Sequence, residues 1–372
     1  MFYKPYLKKR GAPLCDWGIL DTPGLKRFQS IIVIPSYNES KYIIKTLESI
    51  NNQSGFELSN LLVIVVVNNS LDDRIEILKD NFETIKAIGN YSSDFKLLCI
   101  DASSPKHALS KKKSGVGYAR KIGMDCALQY SAEKTILHCL DADTIVSRDY
   151  LRLIANEYRK NDIKALIVDF EHQQDSVSVL NKNIRRYEEF LKLTALKIHK
   201  TGSPYGYVAL GPTITCLAIT YVSIGGMVSN KATEDFYFLQ KIRKYSDINF
   251  LNEKIVFPSS RASDRVYLGT GFRMNQSLSG SDVDDLYYSE RSFEILSFLL
   301  RSIKESYKVN SLDMCRIFKK IDIKLNEFLD KEGFFDIWDK INNESKTLKQ
   351  FELQFHKWFD NLKTLRLLRF YS

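Results

Sequence analysis

The fold of this chain is decided by residues 137–146, LHCLDADTIV, an apolar run that is interrupted by Asp141 and Asp143. The apolar residues predict a buried strand. Residues i and i+2 of a strand face the same side, so both carboxylates are expected to point into one pocket at the strand end. Because they repel each other, a cation should lie between them, and hard oxygen ligands suit Mg²⁺ or Mn²⁺. The alternative is a strand followed by an aspartate that caps the next helix.

Outward from this stretch, strand and helix patterns alternate along the chain. Continuous apolar runs at 30–35, 61–67, 95–100 and 165–170 predict strands, with helical spacing of apolar residues between most of them. Such alternation indicates a mostly parallel sheet with right-handed crossovers, in which ligands bind outside the carboxyl ends of the strands. Polar residues gather at these predicted ends: Tyr37, Glu39, Asn68, Asn69, Asp101, Asp141 and Asp143.

Two cationic segments could bind phosphate. Residues 111–120 join three lysines to two glycines and to Arg120 at a predicted helix start, and residues 259–273 place three arginines, Arg261, Arg265 and Arg273, beside a Gly-Thr-Gly turn. Small residues let backbone N–H groups approach a phosphate, and guanidinium groups can clamp a diphosphate. An exposed basic loop is the alternative interpretation of each segment.

Glu234 and Asp235 open another predicted helix. Acidic residues stabilise the first turn of a helix, so capping is one interpretation of this pair. The other is that Asp235 faces the pocket and acts as a general base. The residues by themselves leave both interpretations open.

The length of 372 residues allows one large domain with an appendage, or two domains. We predict an irregular N-terminal arm at residues 1–28, an α/β domain at 29–280 and a helical extension at 281–372. In the extension, the apolar stripe of residues 351–362 is typical of a helix that packs on a domain. The alternative is a basic amphipathic segment that lies on a membrane surface.

The net charge of +9 indicates phosphate-bearing partners or an anionic membrane, and no motif supports nucleic-acid binding. Six scattered cysteines without a CxxC pair predict buried free thiols in a reducing compartment. Residues 1–10 lack the apolar core of a signal peptide, and no run is long enough to span a membrane. The expected location is the cytoplasm, with peripheral contact at the inner face of the membrane as a further option.

Taken together, these residues resemble the inverting glycosyltransferases of family 2, which have the GT-A fold. The resemblance covers roughly residues 30–273. Its blocks follow the family's order: VIPSYNE at 33–39, VVVNNS at 65–70, GVGYAR at 115–120, LDAD at 140–143, and GG at 225–226 followed by ED at 234–235. It implies a Rossmann-like, mostly parallel sheet flanked by helices, followed here by the C-terminal helical extension.

The resemblance also implies roles for individual residues. Asp141 and Asp143 would hold the divalent metal, and Asp235 would deprotonate the acceptor. The residues expected to bind the nucleotide sugar are Pro35, Tyr37, Glu39, Asn69, Asp101, Arg120, Asp141 and, from the basic segment at 259–273, Arg261 and Arg265. Two departures from the family stand out: Asn68 and Asn69 replace a common pair of aspartates, and no histidine between His199 and His356 offers a third metal ligand.

The implied activity is a metal-dependent, inverting transfer of a sugar, of the hexosyltransferase type, from a nucleoside-diphosphate sugar to a hydroxyl. The acceptor would be a saccharide or a lipid-linked molecule in polysaccharide, glycolipid or cell-envelope biosynthesis. One alternative is an inert nucleotide-sugar-binding subunit. Another is a sugar-phosphate nucleotidylyltransferase, which would have a glycine-rich basic signature where this chain has residues 35–40.

Overall fold

The computed structural model describes residues 1–13, 17–20, 24, 26–175, 178–230, 232–263, 269–279 and 283–372. By its internal packing the chain divides into two compact units. The sheet unit comprises Met1–Arg185 and Ala209–Gly280, and the helical unit comprises Arg186–Val208 and Ser281–Ser372. Residues 186–208 therefore pack with the C-terminal segment, although they come from the middle of the sequence. The three predicted domain ranges stay a prediction.

The strands are β1 (Gly18–Leu20), β2 (Phe28–Ser36), β3 (Leu61–Asn68), β4 (Lys96–Ala102), β5 (Ser131–Cys139), β6 (Ile145–Val146), β7 (Ala165–Phe170), β8 (Ile214–Leu217) and β9 (Asn249–Phe257). Within the described ranges they form one sheet in the order β1-β4-β3-β2-β5-β8-β7-β9-β6. Strands β4, β3, β2 and β5 are parallel neighbours, as are β7 and β9, and the remaining pairs are antiparallel.

The helices of the first part of the chain are α1 (Lys4–Arg10), α2 (Ile43–Asn51), α3 (Ile75–Gly89), α4 (Val116–Ala127), α5 (Tyr150–Lys160), α6 (Ser178–Lys200), α7 (Ala218–Ser223), α8 (Glu234–Tyr245) and α9 (Thr270–Leu278). Those that follow are α10 (Glu290–Glu305), α11 (Ser311–Ile321), α12 (Ile323–Lys331), α13 (Phe334–Glu344), α14 (Leu348–Trp358) and α15 (Asn361–Phe370).

Burial explains why the strands were readable in the sequence. Every residue of β3 is buried, because parallel strands in the middle of a sheet are covered on both faces. The runs predicted at 30–35, 61–67, 95–100 and 165–170 correspond to β2, β3, β4 and β7. The predicted class, a mostly parallel sheet with flanking helices and a helical C-terminal region, is confirmed.

The prediction about residues 137–146 needs one correction. Strand β5 ends at Cys139, and Asp141 and Asp143 lie in the turn that leads to β6. The alternation of a strand therefore does not set the directions of their side chains. Tertiary contacts of the turn set them instead.

The N-terminal arm, predicted to be irregular, contains the helix α1 and the edge strand β1, which pairs antiparallel with β4. Helix α1 is attached to the sheet unit through Asp125, a carboxylate with no exposed surface. At 2.7 to 2.8 Å, Asp125 accepts hydrogen bonds from the hydroxyls of Tyr6 and Tyr221, from Nζ of Lys121 and from the N–H of Ala12. A buried charge with this many donors holds the arm in one position.

The glycine pair at 225–226 makes room for this arm. Both residues have positive φ, +77° and +71°. A Cβ on Gly226 would lie 1.9 Å from the hydroxyl oxygen of Tyr6, and one on Gly225 would lie 2.2 Å from Nη1 of Arg10. The glycine pair that forms one block of the family resemblance therefore packs against helix α1 in this chain.

The helical unit has its own apolar core. Phe351, Phe355 and Phe359 are at most 1% exposed, and they pack with Phe318 and Trp338. The stripe at 351–362 packs in this core across the end of α14 and the start of α15, as the first interpretation of it predicted. In the described ranges, no helix combines the length and the apolar character that crossing a bilayer requires.

The cysteines in the described part of the chain are free thiols. Four are buried and Cys315 is half-buried, as the sequence predicted. Cys15 lies outside the described residues.

Candidate active site

The carboxyl ends of four parallel strands meet at one edge of the sheet. In the register of the sheet, Pro35 of β2 pairs with Val66 of β3, and Asn68 of β3 pairs with Ala102 of β4. Strand β5 joins the same edge, with Cys139 opposite Val33. The loops that carry most of the predicted site residues therefore leave the sheet side by side, as the alternation of strands and helices predicted.

Arg120 lies at the centre of one ion cluster. Its Nη2 is 2.7 Å from Oδ1 of Asp141 and 3.5 Å from Oε1 of Glu234. The arginine side chain is only 2% exposed, and its Nε and Nη1 atoms have no hydrogen-bond partner in the described structure. Burial alone would lower the pKa of Arg120, but Asp141 and the neighbouring acidic groups raise it, so the guanidinium stays charged.

Helix α8 presents two further carboxyl groups to this cluster. Burial, and after it the nearby charge of Asp235, raises the pKa of Glu234 to about 8. Burial also raises the pKa of Asp235, although the N–H of Phe236 and the charge of Arg120 oppose this shift. Glu234 and Asp235 open α8 as predicted. The N-cap residue of this helix is Thr233, and its side chain makes no capping hydrogen bond. Glu234 can therefore exchange a proton near neutral pH, and Asp235 binds a proton more tightly than an ordinary aspartate.

A second ion cluster surrounds Arg261, in the segment between β9 and α9. Its Nη2 lies 2.8 Å from Oδ2 of Asp143 and also contacts Oε1 of Glu39. The guanidinium stacks 4.3 Å from the ring centroid of Tyr42. Each aspartate of the 141–143 turn is therefore neutralised by its own arginine, where the sequence predicted two mutually repelling carboxylates.

Backbone contacts hold the turn between these clusters. The hydroxyl of Thr46 in α2 donates to the carbonyl of Ala142 at 2.9 Å. Nε2 of Gln173 donates to the carbonyl of Asp143 at 2.9 Å and to that of Phe257, at the end of β9, at 2.7 Å. The position of the turn thus depends on side chains from two distant segments.

The loops after β2 and β3 are joined through Asn81 of α3. Its Oδ1 accepts from the N–H of Asn38, which has φ +59°, and its Nδ2 donates to the carbonyl of Asn68 and to Oδ1 of Asn69. Asn69 is fully buried, and its own Nδ2 donates to the carbonyls of Ser70 and Ser103. In this state, Asn69 holds the loops together, and a contact with a nucleotide stays a prediction.

Asp101 also bonds to its own loop. Its Oδ1 accepts from Ser103 N, Ser103 Oγ and Ser104 N, each at 2.9 Å. Burial alone would raise the pKa of Asp101, but the hydrogen bonds from Ser104 and Ser103 outweigh it and lower the pKa. Pro35 is buried at the end of β2, and Tyr37 is half-buried in the loop that follows.

Of the predicted site residues, Arg120, Asp141 and Asp235 lie in the first cluster, and Glu39, Asp143 and Arg261 lie in the second. Arg265 is outside the described residues. Sequence reasoning did not assign a site role to Asn81, Gln173 or Tyr42, which position the loops or an arginine. No local pattern marks them, because their partners lie far away in the sequence.

The side chains of Asp141 and Asp143 are 36% and 16% exposed, so both carboxylates can be reached from solvent. Their oxygens are the hard ligands that Mg²⁺ and Mn²⁺ prefer. Among the residues that the structure describes, no group of three or more histidine, cysteine or acidic side chains is arranged to hold a metal ion. The donor set fits a cation that takes two protein ligands and obtains the others from phosphate and water.

Comparison with known proteins gives one family match. Residues 31–210 match the sequence model described as Glycosyl transferase family 2. A chondroitin synthase from Escherichia coli is 28% identical over 145 residues, which are 38% of this chain and 17% of that relative. The chain therefore matches only about a sixth of the length of this relative.

Two solved structures align with most of this chain. Staphylococcus aureus TarS 1–349 in complex with UDP-GlcNAc is 15% identical with a TM-score of 0.48, and the match covers 88% of this chain and 91% of that one. The mannosyltransferase PcManGT from Pyrobaculum calidifontis, in complex with GDP-Man and Mn²⁺, is 14% identical with a TM-score of 0.39, covering 96% and 93%.

Proposed function

Because the chain belongs to glycosyltransferase family 2, with the family match over residues 31–210, we propose that it transfers a sugar from a nucleoside-diphosphate sugar to a hydroxyl group, with inversion at the anomeric carbon. The family match and the mostly parallel, helix-flanked sheet agree with the predicted GT-A class. The observation that carries the proposal is the cluster in which Arg120 joins Asp141 of the aspartate turn to Glu234, next to Asp235. It combines a diphosphate-binding cation with candidate general bases.

In the reaction we propose, Asp235 accepts the proton of the acceptor hydroxyl. The acceptor oxygen then forms a bond to the anomeric carbon, and the bond from that carbon to the diphosphate oxygen breaks. The nucleoside diphosphate leaves with the electron pair of the broken bond. The raised pKa of Asp235 supports this role, because a base is most effective when its pKa approaches the working pH.

The leaving diphosphate needs positive charge around it. Arg120 and Arg261 lie on the two sides of the aspartate turn and would bind the diphosphate, together with Arg265. Asp141 and Asp143 would hold Mg²⁺ or Mn²⁺, which when bound neutralises charge that develops on the leaving group. Pro35, Tyr37, Glu39, Asn69 and Asp101 would shape the nucleoside pocket, through their loops or by direct contact.

The finer parts of the proposal rest on the sequence and on the resemblance. They are a saccharide or lipid-linked acceptor, a pathway of polysaccharide, glycolipid or cell-envelope synthesis, a cytoplasmic location, and peripheral contact with the inner face of the membrane. The burial of the 351–362 stripe means that any such contact would use other residues.

The test uses nucleotides with and without a divalent cation. We expect UDP or GDP to bind the wild-type chain more tightly with Mn²⁺ present, and we expect Asp141→Asn and Asp143→Asn to lose this gain, since each removes one hard ligand. Calorimetry measures the affinities, and Asp149→Asn, at a surface pair with Arg152, is the matched control. Unchanged metal-dependent affinity in both variants would remove the metal from the proposal, and failure of every nucleotide sugar to bind would reject the transferase itself.

A further inference from the structure

Arg261 binds the second carboxylate of the aspartate turn in the structure without ligands. The contact with Asp143 is 2.8 Å, and the same nitrogen contacts Glu39, whose side chain is 5% exposed. The guanidinium is 21% exposed and lies on the ring of Tyr42. It is thus in a partly buried position between two acids and remains accessible from solvent.

Two components of the proposed reaction compete for this pair. A divalent cation on Asp143 needs the oxygen that Arg261 now contacts, and a metal ion and a guanidinium on one carboxylate repel each other. A diphosphate needs the guanidinium, because arginine binds phosphate oxygens through two parallel hydrogen bonds. The ion pair therefore opposes binding of the metal alone, and a diphosphate would release it.

We propose that Arg261 couples the two binding events. By moving from Asp143 to the diphosphate, it frees the carboxylate for the divalent cation, so that the metal binds well only when the nucleotide is present. This inference rests on the proposed function, because it takes Asp143 as a metal ligand and the diphosphate as part of the donor.

The position of Arg261 in the chain suits this exchange. Residues 258–263, which contain Arg261, form neither helix nor strand, and the N–H of Arg261 bonds at 3.4 Å to Oγ of Ser259. Arg120, in contrast, is on helix α4 and 2% exposed. Arg261 is therefore the more accessible of the two arginines, and its ion pair is the easier one to exchange for a ligand.

The experiment measures Mn²⁺ binding to the full chain by the electron paramagnetic resonance signal of free Mn²⁺. The titration is made without nucleotide and again with UDP or GDP. Wild type is compared with Arg261→Gln and with Arg152→Gln, which removes the same charge from an exposed arginine that pairs with Asp149. Asp143→Asn identifies binding at the aspartate turn.

We expect Arg261→Gln to bind Mn²⁺ alone about tenfold more tightly than wild type, on the scale of one charge-assisted hydrogen bond. The factor by which the nucleotide improves Mn²⁺ binding should fall by a similar amount, because coupling between two ligands is reciprocal. Arg152→Gln should change neither value.

Three results would overturn the coupling. The first is that Arg261→Gln and wild type have the same Mn²⁺ affinity and the same nucleotide effect, while Asp143→Asn loses Mn²⁺ binding. This result would reject the coupling but would leave the metal site of the proposed function intact. The second is an equal gain in Arg152→Gln, which would indicate a general effect of charge. The third is no Mn²⁺ binding by any of these proteins under either condition, which would reject the metal site as well.

Discussion

Two arginines bind the aspartates of one turn, Asp141 and Asp143, which are two positions apart in the sequence. Arg120, which pairs with Asp141, is 2% exposed and has Glu234 and Asp235 beside it. Arg261, which pairs with Asp143, is 21% exposed, so the two arginines differ in their access to solvent.

The difference indicates that the two ion clusters at the aspartate turn have separate functions. Around Arg120 and Glu234, which are 2% and 7% exposed, burial strengthens the interactions between charges, which shifts pKa values and suits proton transfer. The ion pair of the more exposed Arg261 is weaker and can be exchanged for a ligand. We therefore assign proton transfer to the first cluster and the coupled entry of nucleotide and cation to Arg261 of the second, with Asp141 and Arg120 contributing to the metal and diphosphate site from the first.

The largest effect is expected from Asp235→Asn, which removes the proposed base and keeps the size of the side chain. The rate constant kcat should fall by about 10²–10⁴-fold with little change in donor affinity, because a general base acts in the transition state. If Asp235 only stabilises the start of α8, asparagine will replace it with little loss. Initial rates and donor binding, with Asp247→Asn as a surface control, separate the two cases.

A near-normal kcat in Asp235→Asn would contradict the assignment of the base. Glu234→Gln would then be the next variant, since Glu234 is the carboxyl group that contacts Arg120 at 3.5 Å. The assignment of proton transfer to the Arg120 cluster would still hold after this result, with a different residue of α8 as the base.

The second effect concerns stability. Arg120→Gln should lower the free energy of unfolding by about 3–5 kcal/mol, the usual cost of removing one partner of a buried ion pair. Arg152→Gln, which breaks an exposed pair with Asp149, should cost less than about 1 kcal/mol. Urea unfolding of both variants measures these losses of stability. Equal losses would show that the buried Arg120 pair contributes no more to stability than an exposed pair.

The smallest effect is a pH dependence. Glu234 has a pKa of about 8 in the folded chain against 4.5 as its ordinary value, so between these pH values the folded state keeps a proton that the unfolded state has lost. Stability should therefore fall as pH rises through this window. Between pH 6.5 and 7.5, the free energy of unfolding should decrease less in Glu234→Gln than in wild type, and the difference should be about 1 kcal/mol.

The same urea titrations at several pH values provide the check. Parallel pH profiles for Glu234→Gln and wild type would mean that Glu234 ionises normally in the folded chain. The buried cluster would then lack the shifted proton affinity on which its assignment to proton transfer depends.

Sequence by itself determined four buried strands of the sheet and the composition of the turn. Continuous apolar runs predicted β2, β3, β4 and β7, because a strand covered on both faces leaves a local pattern of apolar residues. The carboxylates at 141 and 143 and the acidic pair at 234–235 were visible for the same reason, since each is a short local motif. The packed stripe at 351–362 could be read from its helical period.

Only the tertiary structure decided which charges meet. Arg261 and Glu39 are 222 positions apart, and Tyr6 and Asp125 are 119 positions apart, so no local period connects them. The strand ends before Asp141, so the partner of each aspartate depends on how α4 and the segment after β9 pack around the turn. Electrostatic partners depend on distance in space, and the crossovers of a parallel sheet bring together residues from remote parts of the chain.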